Sequence, residues 1–216
     1  MKSRRTVVTF SFSCSFLFIL LFHALIHAET STGVQGELTI DGATAEGAVV
    51  YLRDLNHPPA PVSPMPITIR QEMFKFKPKF SIVTVGSTVT FQNDDFEMHN
   101  IKSDSPGNRF DLGLQIPGRS RKVVLKKPGA VDLRCRIHSD MKGMVFVSPS
   151  SFFMPIELDG KFAFSGVPAG DYEIEVWHPE RSAPDQKPKG LAVRIGAGVT
   201  TIDLDWKGNV LTRKNP

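Results

Sequence analysis

Residues 121–135 read Arg-Lys-Val-Val-Leu-Lys-Lys-Pro-Gly-Ala-Val-Asp-Leu-Arg-Cys. Arg121 to Leu125 is a short β-branched run, and Lys127-Pro128-Gly129 turns it into a second run, Val131 to Cys135. Side chains alternate across a strand, so Val131, Leu133 and Cys135 share one face while Asp132, Arg134 and Arg136 share the other. The cysteine is expected to point into a core at the end of its strand. Met144 to Val147 follows as the next strand.

Upstream the pattern repeats. Ile67 to Gln71, Phe80 to Val85 and Thr88 to Phe91 read as strands, with Gly86-Ser87 turning between the last two. Before them, Glu37 to Ile40 ends at Asp41-Gly42, and Ala48 to Leu52 is continuously apolar. Residues 56–66 contain five prolines and cannot donate a regular ladder, so they form a connector. After Pro149 the strands resume at Ile156–Leu158, Phe162–Phe164, Tyr172–Trp177, Leu191–Ile195 and Thr200–Leu204, and the tail from Lys207 reads as loose. No stretch has a helical period. Short strands at this spacing predict an all-β protein of sandwich architecture.

Lys2, Arg4 and Arg5 precede a mostly apolar run from Val7 to Phe22, and His27-Ala28-Glu29 places a small residue where signal peptidase cuts. Residues 1–28 therefore read as a secretory signal, with an uncleaved N-terminal anchor as the alternative. Removing them takes three of 26 Lys and Arg and none of 22 Asp and Glu, leaving a nearly neutral chain of 188 residues. Nothing in that balance supports nucleic acid as a partner. Cys14 leaves with the signal, so the exported chain keeps one cysteine, Cys135. Exported proteins usually pair their cysteines; an odd one suggests an intermolecular bridge, a reactive thiol, a metal ligand or an inert buried thiol.

Its neighbours favour a metal. Cys135-Arg136-Ile137-His138-Ser139-Asp140-Met141 places a thiolate, an imidazole and a thioether at intervals of three, and His99 follows the Thr88–Phe91 strand. Thiolate and thioether are soft donors, and beside two imidazoles they suit copper rather than magnesium or calcium. Met98, Met144 and Met154 read as core fillers, and His57 and His178 as structural or solvent-facing, with an approach of His178 to the metal loop left open.

His99-Asn100 with the C-x-x-H-x-x-M loop resembles the cupredoxin family over residues 65–149, and the short loop is similar to that of amicyanin. The flanks, Ile82 to Asn93 and Met141 to Val147, resemble the strands around that family's metal. The resemblance implies a Greek-key sandwich with one type 1 copper held by His99, Cys135, His138 and Met141. It also implies that Asn100, by backbone or side chain, supports the Cys135 sulfur, and that electrons leave through His138. Lys102, Arg136 and Lys142 near that port read either as steering charges or as ordinary solvated ones.

Residues 150–206 carry Leu158-Asp159-Gly160-Lys161-Phe162 and Gly166 to Tyr172, which resemble the carboxypeptidase regulatory-like, or transthyretin-like, β-sandwich. That family opens with Gly-x-Leu and Ala-x-Val-x-Leu segments, which Gly36–Leu38 and Ala48–Leu52 match. Residues 33–55 thus either complete this smaller sandwich or supply the copper domain's first strands.

The function implied is an exported, periplasmic or secreted blue-copper protein that carries single electrons to a redox protein partner. It would be no enzyme, have no membrane span once the signal is removed, and be a monomer. A copper-binding or copper-delivery protein, or a non-redox envelope interaction protein, is the alternative.

Overall fold

The computed structural model describes residues 32–56, 62–182, 188–208 and 210–214, all of it strand, turn and loop. The stretch read as a secretory signal, with Cys14, and His57 lie outside these residues. Among them, no helix is long and apolar enough to cross a membrane.

Three strands come first: β1 (Gly33–Ile40), β2 (Ala43–Thr44) and β3 (Val49–Asp54). The middle of the chain forms β4 (Ile67–Glu72), β5 (Lys75–Lys77), β6 (Phe80–Thr84), β7 (Thr88–Asn93), β8 (His99–Ser103), β9 (Phe110–Gln115), β10 (Ser120–Val124), β11 (Gly129–Arg134) and β12 (Lys142–Ser148). The remainder forms β13 (Phe153–Pro155), β14 (Lys161–Ser165), β15 (Gly170–Trp177), β16 (Lys189–Ile195), β17 (Val199–Thr201), β18 (Leu204–Lys207) and β19 (Val210–Arg213).

The middle strands make two sheets, ordered β10-β7-β4-β5 and β6-β12-β11-β8-β9. Ile69, Val89, Phe91, Val131, Leu133 and Val145 fill the space between them. The alternation expected in Val131–Cys135 is present: Val131, Leu133 and Cys135 are buried, and Arg134 and Arg136 are exposed. The other two sheets run β14-β1-β18-β19 and β13-β3-β15-β16, around Val34, Leu38, Leu52, Phe162, Ile174 and Trp206. This second sandwich draws β1 and β3 from before the middle block and β13 to β19 from after it. Gly36 permits one close approach within it, since a Cβ there would overlap the Ile202 carbonyl oxygen.

The continuous apolar run 48–52 has a physical cause in this layout. Val50 and Leu52 face their own core, while Val49 and Tyr51 point the other way into a third cluster with Ala130, Phe146 and Trp177. That cluster joins the two sandwiches. The Phe146 and Trp177 rings lie 4.8 Å apart, and Phe80 stacks on Trp177 at 5.9 Å. Burial, with the Glu175 carboxylate beside it, pushes the Tyr51 phenol far above its ordinary range. A strand buried on both faces cannot alternate.

Several elements differ from the sequence reading. The tail after Lys207 is not loose: Val210–Arg213 pairs with β18, and Leu211 is buried. Gly208 takes a positive φ of 53° in the turn that allows this pairing. The strands β5, β8 and β9 escape the alternation rule because they are short or carry polar residues inward, such as Asn100 and Gln115.

A nick introduced between Ser148 and Phe153 is expected to leave two pieces that still co-elute, because β3 is hydrogen-bonded between β13 and β15. Size-exclusion chromatography before and after adding denaturant checks this. Release of a free 32–150 piece in native buffer would contradict it.

Candidate metal centre

The centre is assembled from two loops on the sandwich of β4–β12. The first, residues 94–98, joins β7 to β8 and is tied down by Asn93. The Asn93 side-chain NH2 donates to the Glu97 and Gln115 carbonyls, both at 2.9 Å, and its Oδ1 accepts the Asp95 amide at 3.0 Å. Gln115 in turn donates to the Phe91 carbonyl at 2.9 Å and the Arg119 carbonyl, and accepts from Gln71 at 3.1 Å. All three side chains are buried, where an unpaired polar group would be costly, so the network specifies one loop conformation. It delivers His99, fully buried, at the first position of β8.

The second loop continues the β11–β12 hairpin. Arg134 pairs with Lys142 as the last ladder position. Beyond it the Cys135 amide donates to the Met141 carbonyl and the Met141 amide to the His138 carbonyl, both at 3.1 Å. The six residues from Arg136 to Met141 are therefore folded back on themselves. Cys135 and Met141 face the core, and His138 is half-buried.

Three ligand atoms meet. His99 Nδ1 lies 3.0 Å from His138 Nδ1, and the Cys135 sulfur lies 3.8 Å and 3.6 Å from those two nitrogens. A point in their plane sits about 2.0 Å from all three atoms, close to the metal–nitrogen distance and a little inside the metal–sulfur one. The tautomer is consistent with this. His99 Nε2 is 2.7 Å from the Asp95 carboxylate and so carries the proton, which leaves the Nδ1 lone pair facing the shared point. At 3.0 Å the His99 Nδ1 lone pair can accept a proton held on His138 Nδ1 or, once that proton leaves, share a cation with it. These residues fit a metal ion.

The sequence-derived residues are thus brought together: the side chains of His99, Cys135 and His138 form the triangle, and Met141 is buried at the end of the same loop. Asn100 serves through its backbone, whose N–H points at the Cys135 sulfur at 3.5 Å. Its side chain goes elsewhere, donating to Asp111 at 2.6 Å, and Arg136 donates to the other Asp111 oxygen at 3.1 Å. Hydrogen bonds from Asn100 and the Gly113 amide, with Arg136 beside them, hold the Asp111 carboxyl below its usual range.

Other expectations change. Met98 is no core filler: it is exposed next to His99, whereas Met144 and Met154 are partly buried. His178 stays in the second sandwich, with Nε2 at 3.2 Å from the Glu46 carbonyl and Nδ1 accepting the Glu180 amide. Of the three cations near the port, Lys102 pairs with Asp104 and Arg136 with Asp111. Lys142 instead lines a cleft beside the second sandwich, with Lys79, Arg134 and Pro179.

Two residues at the centre went unread in the sequence, Asp95 and Phe74. The Asp95 carboxylate accepts from His99 and from the amides of Met73 and Phe74. Burial raises its carboxyl, but the bonds from Phe74, His99 and Met73 outweigh that and hold it below the ordinary value. Met73 and Phe74 form the β4–β5 turn with φ of 53° and 58°, a left-handed backbone costing roughly 1–2 kcal/mol per non-glycine residue. The Phe74 ring stands edge-on to His138 at 4.9 Å and to His99 at 5.8 Å. The available signals were an acid four residues before His99 and a hairpin turn, Met73-Phe74, lacking Gly, Asn, Asp or Pro.

No protein-family model matches the chain, and no curated protein does. Solved structures do resemble part of it. A copper-containing nitrite reductase from Thermus scotoductus SA-01 aligns at 28% identity over 40% of this chain and 23% of its own, TM-score 0.37. The chain thus spans under a quarter of that enzyme. A purple cupredoxin from Nitrosopumilus maritimus aligns at 26% identity over 38% of this chain and 99% of its own, TM-score 0.35. A reduced amicyanin variant aligns at 20% identity over 40% of this chain and 92% of its own, TM-score 0.36.

Asn93→Ala removes three hydrogen bonds at a fully buried position. It is expected to lower stability by about 2–4 kcal/mol, since buried partners are left unpaired. Urea denaturation checks the value, and a change below half a kilocalorie would show that the loop does not depend on Asn93.

Proposed function

We propose that this chain is an exported type 1 copper protein that carries single electrons between redox partners. The observation that carries the reading is the triangle of His99 Nδ1, His138 Nδ1 and the Cys135 sulfur, with Met141 buried on the same short loop. His99, Cys135 and His138 would be the strong ligands, and Met141 would add a weaker thioether donor. Copper, when bound, supplies a one-electron couple. The residues around it do the rest. They come from strand ends and network-held loops, so little has to move when the charge on the site changes. A filled set of two imidazoles, a thiolate and a thioether leaves no position for a substrate, which favours electron transfer over catalysis. Cys135 is flanked by Arg134 and Arg136, so it carries no paired histidines that would wire it to further metal ions.

The half-buried His138 is the exit for the electron. The segments that border the two ligand loops carry exposed apolar side chains, Met73, Phe74, Phe96, Met98, Leu114 and Ile137. Lys102 and Arg136 are neutralised by their own carboxylates. The partner is therefore a redox protein that docks through apolar contact, with weak dependence on salt. The leader-like first 28 residues support export to the periplasm or medium.

Adding Cu(II) to the metal-free protein is expected to give one bound ion and an intense visible thiolate-to-copper band that Cys135→Ser abolishes. Cyclic voltammetry should then show one reversible one-electron wave. A colourless adduct or a preference for Zn(II) overturns the assignment. A coloured site that exchanges no electrons points instead to copper storage or delivery.

A further inference from the structure

Asp95 holds two things at once. Its Oδ1 accepts the Met73 amide at 2.5 Å, and its Oδ2 accepts both the Phe74 amide at 3.0 Å and His99 Nε2 at 2.7 Å. The turn it grips is one that non-glycine residues rarely adopt, with positive φ at two successive positions. Such a conformation persists only where surrounding contacts over-determine it. Here the carboxylate binds both turn amides, which places Phe74 where its ring meets the edges of both imidazoles. Although Phe74 is 49% exposed, that exposed apolar ring is folded onto the ligands.

We propose that Asp95 is the positioning residue of the centre, orienting the His99 ring and, through the Met73–Phe74 turn, holding Phe74 as an apolar cover over the solvent side of the metal position. One carboxylate thereby couples a metal ligand to the shield that keeps water from it. The dependence runs one way. Without Asp95 the two turn amides lose their acceptor and the backbone relaxes, taking the ring off the imidazoles. Without the Phe74 ring the carboxylate and its three hydrogen bonds remain. The effect on the bound metal rests on the copper reading above; the clamp itself is a property of the metal-free chain.

Two readouts separate these layers in the full chain. In metal-free protein, hydrogen exchange of the Met73 and Phe74 amides is followed by NMR, with the contacts between the Phe74 ring and the imidazole of His138. Asp95→Ala is expected to speed exchange of both amides at least about tenfold and to abolish the ring contacts, while amides of the β14–β1–β18 sheet stay protected. Phe74→Ala is expected to leave the Met73 amide as protected as before. If Asp95→Ala does not fold, Asp95→Asn, which keeps one acceptor oxygen, should still expose one of the two amides. Unchanged protection in these Asp95 variants overturns the clamp, as does loss of Met73 protection in Phe74→Ala.

In protein loaded with Cu(II), water-proton relaxation reports solvent access. Phe74→Ala and Asp95→Ala should both raise it about twofold or more while Phe74→Leu does not, and Asp95→Asn should weaken metal affinity about 10–100-fold. Equal relaxation in all of these variants overturns the cover. Failure of the unsubstituted chain to bind Cu(II) would sink the copper reading while the amide measurements still decide the clamp.

Discussion

His99 Nδ1 and His138 Nδ1 face each other at 3.0 Å, and the Cys135 sulfur closes the triangle within 3.8 Å of both. The fold holds these three atoms together in a buried site, where a proton or a cation is shared between the two nitrogens. The two loops that supply them show how they are held. One is locked by a buried amide network, Asn93 with Gln115 and Gln71; the other is a β-hairpin end closed by two backbone bonds around six residues. Each loop starts at the last position of a regular strand, so the sandwich core sets where the ligands stand. Desolvation then makes each polar contact at the site count for more than it would in water.

The second sandwich bears on this centre through packing rather than chemistry. It meets the first through Val49, Tyr51, Phe146 and Trp177, on the sheet that also carries the Cys135 hairpin. Phe146 lies on β12, the strand that begins directly after Met141, and is packed between the aromatic rings of Tyr51 and Trp177. An aromatic interface of this kind is stiff, because interdigitated rings leave few alternative packings. The strand leaving the ligand loop is thus braced from both faces.

Much of the fold was legible in the residues. Val131–Cys135 alternates, and its inward face is buried as the pattern requires. Proline and glycine punctuation separated the strands correctly in most of the chain. The run Ala48–Leu52 was recognisable as a strand but not as a joint, since a double-sided apolar strand looks the same whether its second face meets a helix, a sheet or another sandwich. The strands β5, β8 and β9 were missed, and so was the ordered tail at Val210–Arg213. These are short segments, most of them at sheet edges and paired with the strand next to them in sequence. Too few residues, or inward polar ones such as Asn100 and Gln115, leave no apolar alternation to read.

By itself the sequence supplied the candidate donors: one cysteine, two histidines and a methionine, three of them in one short stretch from Cys135 to Met141 and the fourth, His99, following the Thr88–Phe91 strand. It also determined that Cys135 would face inward, because a strand's period of two leaves no choice. Only the tertiary structure decided the orientation of those donors and their surroundings. That His99 turns Nδ1 toward Cys135 depends on Asp95 holding Nε2, and that Phe74 covers the imidazoles depends on a turn 21 residues upstream being bonded to that same carboxylate. Alternation and spacing are local properties of the chain. A hydrogen bond across two loops depends on geometry that exists only once the core has packed.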